Sequence, residues 1–257
     1  MAESTRYSVD KLKDIHDNIR ITLPSQERVF YDINGGNAQG APMRKFRKSV
    51  SQNTIQSRWI KWYDTQVPGD VLKDPTTNKD RVPADVINIC PVYLGSLLFG
   101  TAKQMYQYQL VFDIVKYIRE ARDQGVTINV RFDDWSYGKS DKESLPAMFE
   151  NVVPGKKVGV YVTSGEFEQF LNDSSLFILF EPENPFRKML VECWLSNTKN
   201  TPRAIICAPS DTDVGADITN HDVKTWLSRS YGEPITFPTA TQERVGQCAL
   251  YVNKAIP

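Results

Sequence analysis

Leu176–Phe180 reads LFILF, five apolar residues in a row with no polar alternation. A strand that is apolar on both faces must be covered on both, which is the situation of a central strand in a parallel sheet. Ala204–Ala208 (AIICA) repeats the pattern downstream, and Val86–Leu94 (VINICPVYL) is similarly apolar upstream. Val126–Phe132 (VTINVRF) alternates strictly and predicts a half-buried strand, and Val158–Thr163 (VGVYVT) predicts another. Helical spacing separates these runs. Over Lys103–Asp123, Tyr108, Val111, Phe112, Val115 and Ile118 fall on one face, with Gly125 closing the helix. Thr163 with Glu166 reads as a capping-box start for a short helix ending near Asn172. Asn184-Pro185 opens a helix with Phe186, Met189, Leu190, Cys193 and Trp194 on one side. A further helix runs from about Asn220 to Tyr231 and stops at Gly232, and Val245–Val252 reads as a final strand. This alternation predicts an α/β fold: a largely parallel sheet flanked by helices, flavodoxin- or Rossmann-like, over residues 85–257.

Residues 1–84 read as an N-terminal extension. Ser8–Arg20 has the pattern of a short helix, and a Gly/Asn/Ala-rich loop covers Asn34–Pro42. Met43–Trp62 holds six basic residues and no acidic one, with Phe46, Trp59 and Trp62 among them. Such a stretch either grips nucleic acid, with Arg44, Lys45, Arg47 and Lys48 on phosphates, or forms a solvated strand pair whose aromatic side chains face a core. Gly69–Pro83 reads as a linker. Over the whole chain 31 Lys and Arg balance 31 Asp and Glu, so net charge favours neither nucleic acid nor a membrane surface. No apolar run approaches the length of a membrane span, and the first residues are polar. The four cysteines stand singly in apolar stretches, as buried reduced thiols do. Together these point to the cytoplasm.

Several chemistries have no support. His16 and His221 are far apart and neither has a metal-ligand spacing, so no metal site is expected. There is no G-x-S-x-G elbow and no P-loop. Asp211, Asp213, Asp217 and Asp222 read as a solvated loop running into a helix N-terminus. Ligands of open α/β sheets bind beyond the carboxyl ends of the strands. That rule singles out Tyr93–Phe99, Asp133–Tyr137, Glu181–Arg187 and Pro209–Asn220, with Gly95, Phe99 and Asp134 as substrate-binding candidates. Glu192 is the other candidate, a carboxylate at the edge of an apolar helix stripe between Val191 and Cys193.

Val92–Gly100 (VYLGSLLFG) and Phe170–Pro209 (FLNDSSLFILFEPENPFRKMLVECWLSNTKNTPRAIICAP) resemble the two signatures of the nucleoside 2-deoxyribosyltransferase family. The resemblance spans roughly Val86–Asn220. It implies cleavage or transfer at an N-glycosidic bond of a nucleoside or nucleotide, with no cofactor. In that pattern Glu192 falls on the nucleophile, Tyr93 on the tyrosine that positions it, and Glu166 near the acid that handles the leaving base. Asn220 falls near the residue a neighbouring subunit contributes, which implies a homo-oligomer. A carboxylate beneath the sugar carbon and a second acid for the departing base are what a retaining N-glycoside cleavage needs. Where the family has small residues before the nucleophile, this chain has Arg187 and Lys188, two cations suited to a phosphorylated sugar. The competing readings are an NAD-cleaving domain of the TIR type and a non-catalytic nucleic-acid-binding or assembly protein.

Overall fold

The computed structural model describes residues 82–254, apart from residues 84, 98–100, 122–125, 153–156, 165, 181–186, 189, 192–200 and 214–220. The helix and loop expected at 8–42 and the basic stretch at 43–62 therefore lie outside the described residues.

Seven strands make one sheet. In chain order the elements are β1 (Asn88–Val92), α1 (Ala102–Ala121), β2 (Ile128–Asp133), α2 (Lys139–Val152), β3 (Val158–Thr163), a 3-10 turn (Phe167–Phe170), β4 (Ser175–Leu179), β5 (Ala204–Cys207), α3 (His221–Ser230), β6 (Ile235–Thr236), α4 (Thr239–Val245) and β7 (Ala249–Val252). Their order across the sheet is β3-β2-β1-β4-β5-β7-β6. The first five neighbours run parallel, while β7 lies antiparallel to both β5 and β6. The fold is thus the expected mostly parallel, Rossmann-like α/β sheet with flanking helices. The apolar run that decided it, β4, is buried at all five positions and lies between β1 and β5.

Two apolar layers sandwich the sheet. On one face α1 (Tyr108, Val111, Phe112, Val115), α2 (Leu145, Met148, Phe149) and Val245 of α4 pack on Ile89, Val130, Phe132, Ile178 and Ile206. On the other face Phe167, Leu171, Leu190, Val191 and α3 (Val223, Trp226, Leu227) pack on Cys90, Val92, Phe177, Leu179 and Ile205. Neighbouring strand residues alternate between the two layers, as the pleat requires.

Three local readings change. Thr163 caps no helix: its hydroxyl donates to Asp133 Oδ2 at 2.7 Å, and the expected helix is one 3-10 turn. The strand expected over Val245–Val252 divides at Gly246. Its φ of 99° ends α4 with the Gly246 N–H on the Gln242 carbonyl, and β7 starts only at Ala249. Helix α2 has no counterpart in the sequence reading, because Pro146 lies inside it and its first turn is polar.

Candidate functional site

The strand order reverses between β1 and β4: from β1 the chain proceeds outward through β2 and β3, then returns to place β4 on the opposite side. The crevice beyond the carboxyl ends of two such strands is where doubly wound sheets hold ligands. Of the segments around that position, the described residues include the loop leaving β1 (residues 93–97) and, next to it, the Asp133–Tyr137 segment leaving β2.

The β1 loop is held in a conformation the backbone does not favour. Tyr93 has φ 57°, the only positive φ of a non-glycine residue among the described residues, and Gly95 has φ 78°. A left-handed tyrosine costs on the order of 1 kcal/mol or more, and such residues persist only where the surroundings over-determine them. The restraints are visible. The Tyr93 N–H donates to the Asp133 carbonyl at 3.0 Å. The Gly95 N–H donates to Asp134 Oδ2 at 2.8 Å. The Leu97 N–H donates to Asp141 Oδ1 at 2.9 Å, and the Ser96 hydroxyl sits 3.0 Å from both Asp141 oxygens. From beneath, the Tyr108 hydroxyl donates to the Gly95 carbonyl at 2.6 Å and lies 2.8 Å from the Tyr137 hydroxyl. A Cβ on residue 95 would displace the end of the Gln104 side chain, and the φ of 78° is what calls for glycine there.

Both carboxylates that pin the loop are buried. Asp141 is fully buried in the first turn of α2, where it also accepts the Gly138 N–H at 2.8 Å and complements the helix dipole. Asp134 is 3% exposed and holds the Ser136 N–H at 2.8 Å with its other oxygen. Burial raises the Asp134 carboxyl to about 6, with the nearby Asp133 charge adding to the rise and the N–H groups of Ser136 and Gly95 opposing it. Asp133 is buried too, and its Oδ2 accepts the Thr163 hydroxyl and the Glu166 N–H. Half-buried Tyr93 and Trp135 meet edge to face, with ring centres 5.9 Å apart.

The structure thus brings together Tyr93, Gly95 and Asp134 from the sequence candidates. Glu166 lies at the end of β3, exposed, tied to Asp133 through its backbone. Arg187 is buried and donates to the carbonyls of Ala208, Pro209 and Thr212. It braces the segment leaving β5. Lys188 is exposed. Phe99, Glu192 and Asn220 lie outside the described residues, as do Arg44, Lys45, Arg47 and Lys48. Ser96 and Trp135 fall inside the ranges that the sequence singled out but were given no role, Tyr108 entered only as a core-facing helix residue, and Asp141 was missed. Gly138-x-x-Asp141 is a helix-start signal in which the third residue's carboxylate reaches back to the cap, but its bonds to Ser96 and Leu97 span more than forty residues and leave no local trace. Among the described residues no group of His, Cys, Asp or Glu has the arrangement of a metal site, and no helix is long and apolar enough to cross a membrane.

No family model matches the chain, and no curated protein matches it. Two solved structures that it resembles are of magnesium protoporphyrin IX methyltransferase (ChlM) from Synechocystis PCC 6803, one with SAH bound and one with SAM. With the first the identity is 9% and the TM-score 0.37, over 78% of this chain and 80% of that one. With the second the identity is 10% and the TM-score 0.36, over 78% and 77%. Likeness this distant decides no activity. The resemblance to nucleoside 2-deoxyribosyltransferases is nevertheless corrected: no family model carries it, and these structural neighbours are of another kind. N-glycosidic cleavage, the nucleoside or nucleotide substrate and the hydrolase and glycosidase readings go with it, and so do the TIR-type and nucleic-acid-binding alternatives. The nucleophile and leaving-base roles of Glu192, Tyr93 and Glu166 have no reaction left to serve. The subunit sharing inferred through Asn220 rested on the same resemblance.

Proposed function

We propose that the crevice at the β1/β4 switch point holds an adenosine-bearing sulfonium cofactor, S-adenosylmethionine, and that the protein is a methyl-transferring enzyme. One observation carries this reading: two N–H groups of the β1 loop, those of Gly95 and Leu97, are spent on buried carboxylates. Dinucleotide-binding folds use the N–H groups of this loop and the helix that follows to cradle a pyrophosphate. In this chain the Gly95 and Leu97 N–H groups are taken by Asp134 and Asp141, and Asp133 adds a third buried carboxylate beside them. A phosphate would meet negative charge instead of donors. A ligand that is cationic and free of phosphate meets complementary charge, and the faces of Tyr93 and Trp135 suit an onium centre. Among nucleoside cofactors that description fits S-adenosylmethionine, whose sulfonium supplies the transferable methyl group.

The chain's own part is to fix the loop and to exclude phosphate. Asp134 and Asp141 hold the loop rigid before the ligand arrives, so little ordering cost remains at binding. A thermal-shift series with S-adenosylmethionine, adenosine, AMP and NAD tests the reading. S-adenosylmethionine should raise Tm most, adenosine less, and the two phosphate-bearing compounds least. Stabilisation by NAD or AMP equal to that by S-adenosylmethionine refutes it.

A further inference from the structure

Gly95 is held at both ends of its backbone. Its N–H donates to Asp134 Oδ2 at 2.8 Å, and its carbonyl accepts the Tyr108 hydroxyl at 2.6 Å. Tyr108 has one hydroxyl proton, and spending it on Gly95 leaves the oxygen to accept from the Tyr137 hydroxyl 2.8 Å away. Burial pushes both tyrosines well above their ordinary range, so this side of the clamp stays protonated and fixed. The other side is a carboxylate with one N–H on each oxygen, Gly95 on Oδ2 and Ser136 on Oδ1. Asp134 is buried, and the ionisable groups around it are acids: Asp133 beside it in the chain, Tyr108 on α1, Tyr137, and Asp141 on α2 near the same two tyrosines. Among the described residues no cation pairs with it; Arg131, on β2, interacts with Asp133 and Glu166 instead.

We infer that a proton on Asp134 unlocks the crevice loop, releasing the Gly95 N–H while Tyr108 keeps the Gly95 carbonyl. A protonated carboxyl carries an O–H on one oxygen, and that oxygen can no longer face an N–H donor. The Ser136 bond closes a turn inside the Asp134 segment, two residues on. The Gly95 bond crosses 39 positions and holds a loop whose backbone has φ 57° at Tyr93 and 78° at Gly95. Giving up the Gly95 bond lets that strained backbone relax, so it is the bond that opens. Burial brings the change within reach of mildly acid solution, since it raises the carboxyl to about 6. Opening removes one negative charge from the loop and frees one donor, so the preference of the crevice for a cationic ligand fades in acid. That consequence rests on the cofactor reading; the switch itself does not.

Amide NMR and hydrogen exchange on the ligand-free full chain, from pH 7.5 to pH 5, test it. The Gly95 N–H signal should shift with a midpoint near pH 6. Its exchange, corrected for the intrinsic pH dependence, should speed up about tenfold or more. The Asn129 N–H, on the Ile87 carbonyl inside the sheet, should stay protected throughout. In Asp134→Asn, whose amide offers one acceptor and one donor, Gly95 should exchange at the fast acid rate at every pH. Gly95 protection that is flat across the range, that falls together with that of Asn129, or that titrates in Asp134→Asn as in the wild type overturns the switch. The wild-type titration decides by itself if the Asn variant does not fold.

Discussion

Replacing Asp141 tests how the crevice loop is held. Three donors converge on this fully buried carboxylate: the Leu97 N–H, the Gly138 N–H and the Ser96 hydroxyl. In Asp141→Ala the two backbone N–H groups cannot turn away, and a buried donor left without an acceptor costs about 1–3 kcal/mol. The Ser96 hydroxyl can rotate and adds a fraction of that. The expected loss is about 3–5 kcal/mol, a large share of the stability of an ordinary domain. Asp141→Asn keeps one acceptor for Leu97 and Ser96 but turns an amide N–H toward Gly138, so about 1–3 kcal/mol is expected. Ser96→Ala removes one donor and leaves both backbone bonds, so it should cost about 1 kcal/mol or less. Urea unfolding followed by circular dichroism gives the three values on one scale. The order Ala, Asn, Ser96→Ala is the signature of orphaned backbone donors. An Asp141→Ala variant within 1 kcal/mol of wild type, or one no worse than Asp141→Asn, refutes the claim that this carboxylate holds the loop.

Two more predictions concern the same loop. Asp134 has its carboxyl raised to about 6 against an ordinary value of 3.8, so the folded protein binds that proton more tightly than the unfolded chain. Its contribution is greatest below pH 4 and is lost as pH rises through about 6, a change of about 3 kcal/mol. The stability difference between wild type and Asp134→Asn, measured from pH 4.5 to 7.5, should therefore move against the wild type as pH rises; a difference flat with pH contradicts the burial argument. Gly95→Ala places a Cβ against Gln104 at a φ of 78° and should cost about 1–3 kcal/mol while weakening ligand binding in parallel. Unchanged Tm and affinity in that variant would show that the loop adapts freely.

The sheet was legible because burial writes itself into composition. LFILF and AIICA could only be strands covered on both faces, and both sit in the sheet's interior. β6 escaped because two residues carry no period, and α2 because Pro146 punctuates it. Half of the crevice was legible as well. The rule that ligands lie beyond strand carboxyl ends picked out Tyr93, Gly95 and Asp134 from position alone. What these residues do there was not legible, since the bonds from Asp134 to Gly95 and from Asp141 to Ser96 and Leu97 cross 39 to 45 positions. The pull of a family pattern on Glu166 and Arg187 came from local order of residue types. In space Arg187 turns inward onto the carbonyls after β5, and Glu166 stays at the outer end of β3.

We propose that the β1 loop, with Gly95 and Leu97 held on buried carboxylates, offers negative charge where other nucleoside-binding sheets offer N–H donors. Isothermal titration of the full chain with S-adenosylmethionine and with AMP at pH 7.5 tests it most directly, because the two share adenosine and differ in the sign of the charge beyond the ribose. One S-adenosylmethionine should bind per chain, with AMP at least about tenfold weaker. Asp141→Asn should lose affinity for S-adenosylmethionine. AMP binding as tightly as S-adenosylmethionine, or no binding of S-adenosylmethionine to a folded wild type, would contradict it.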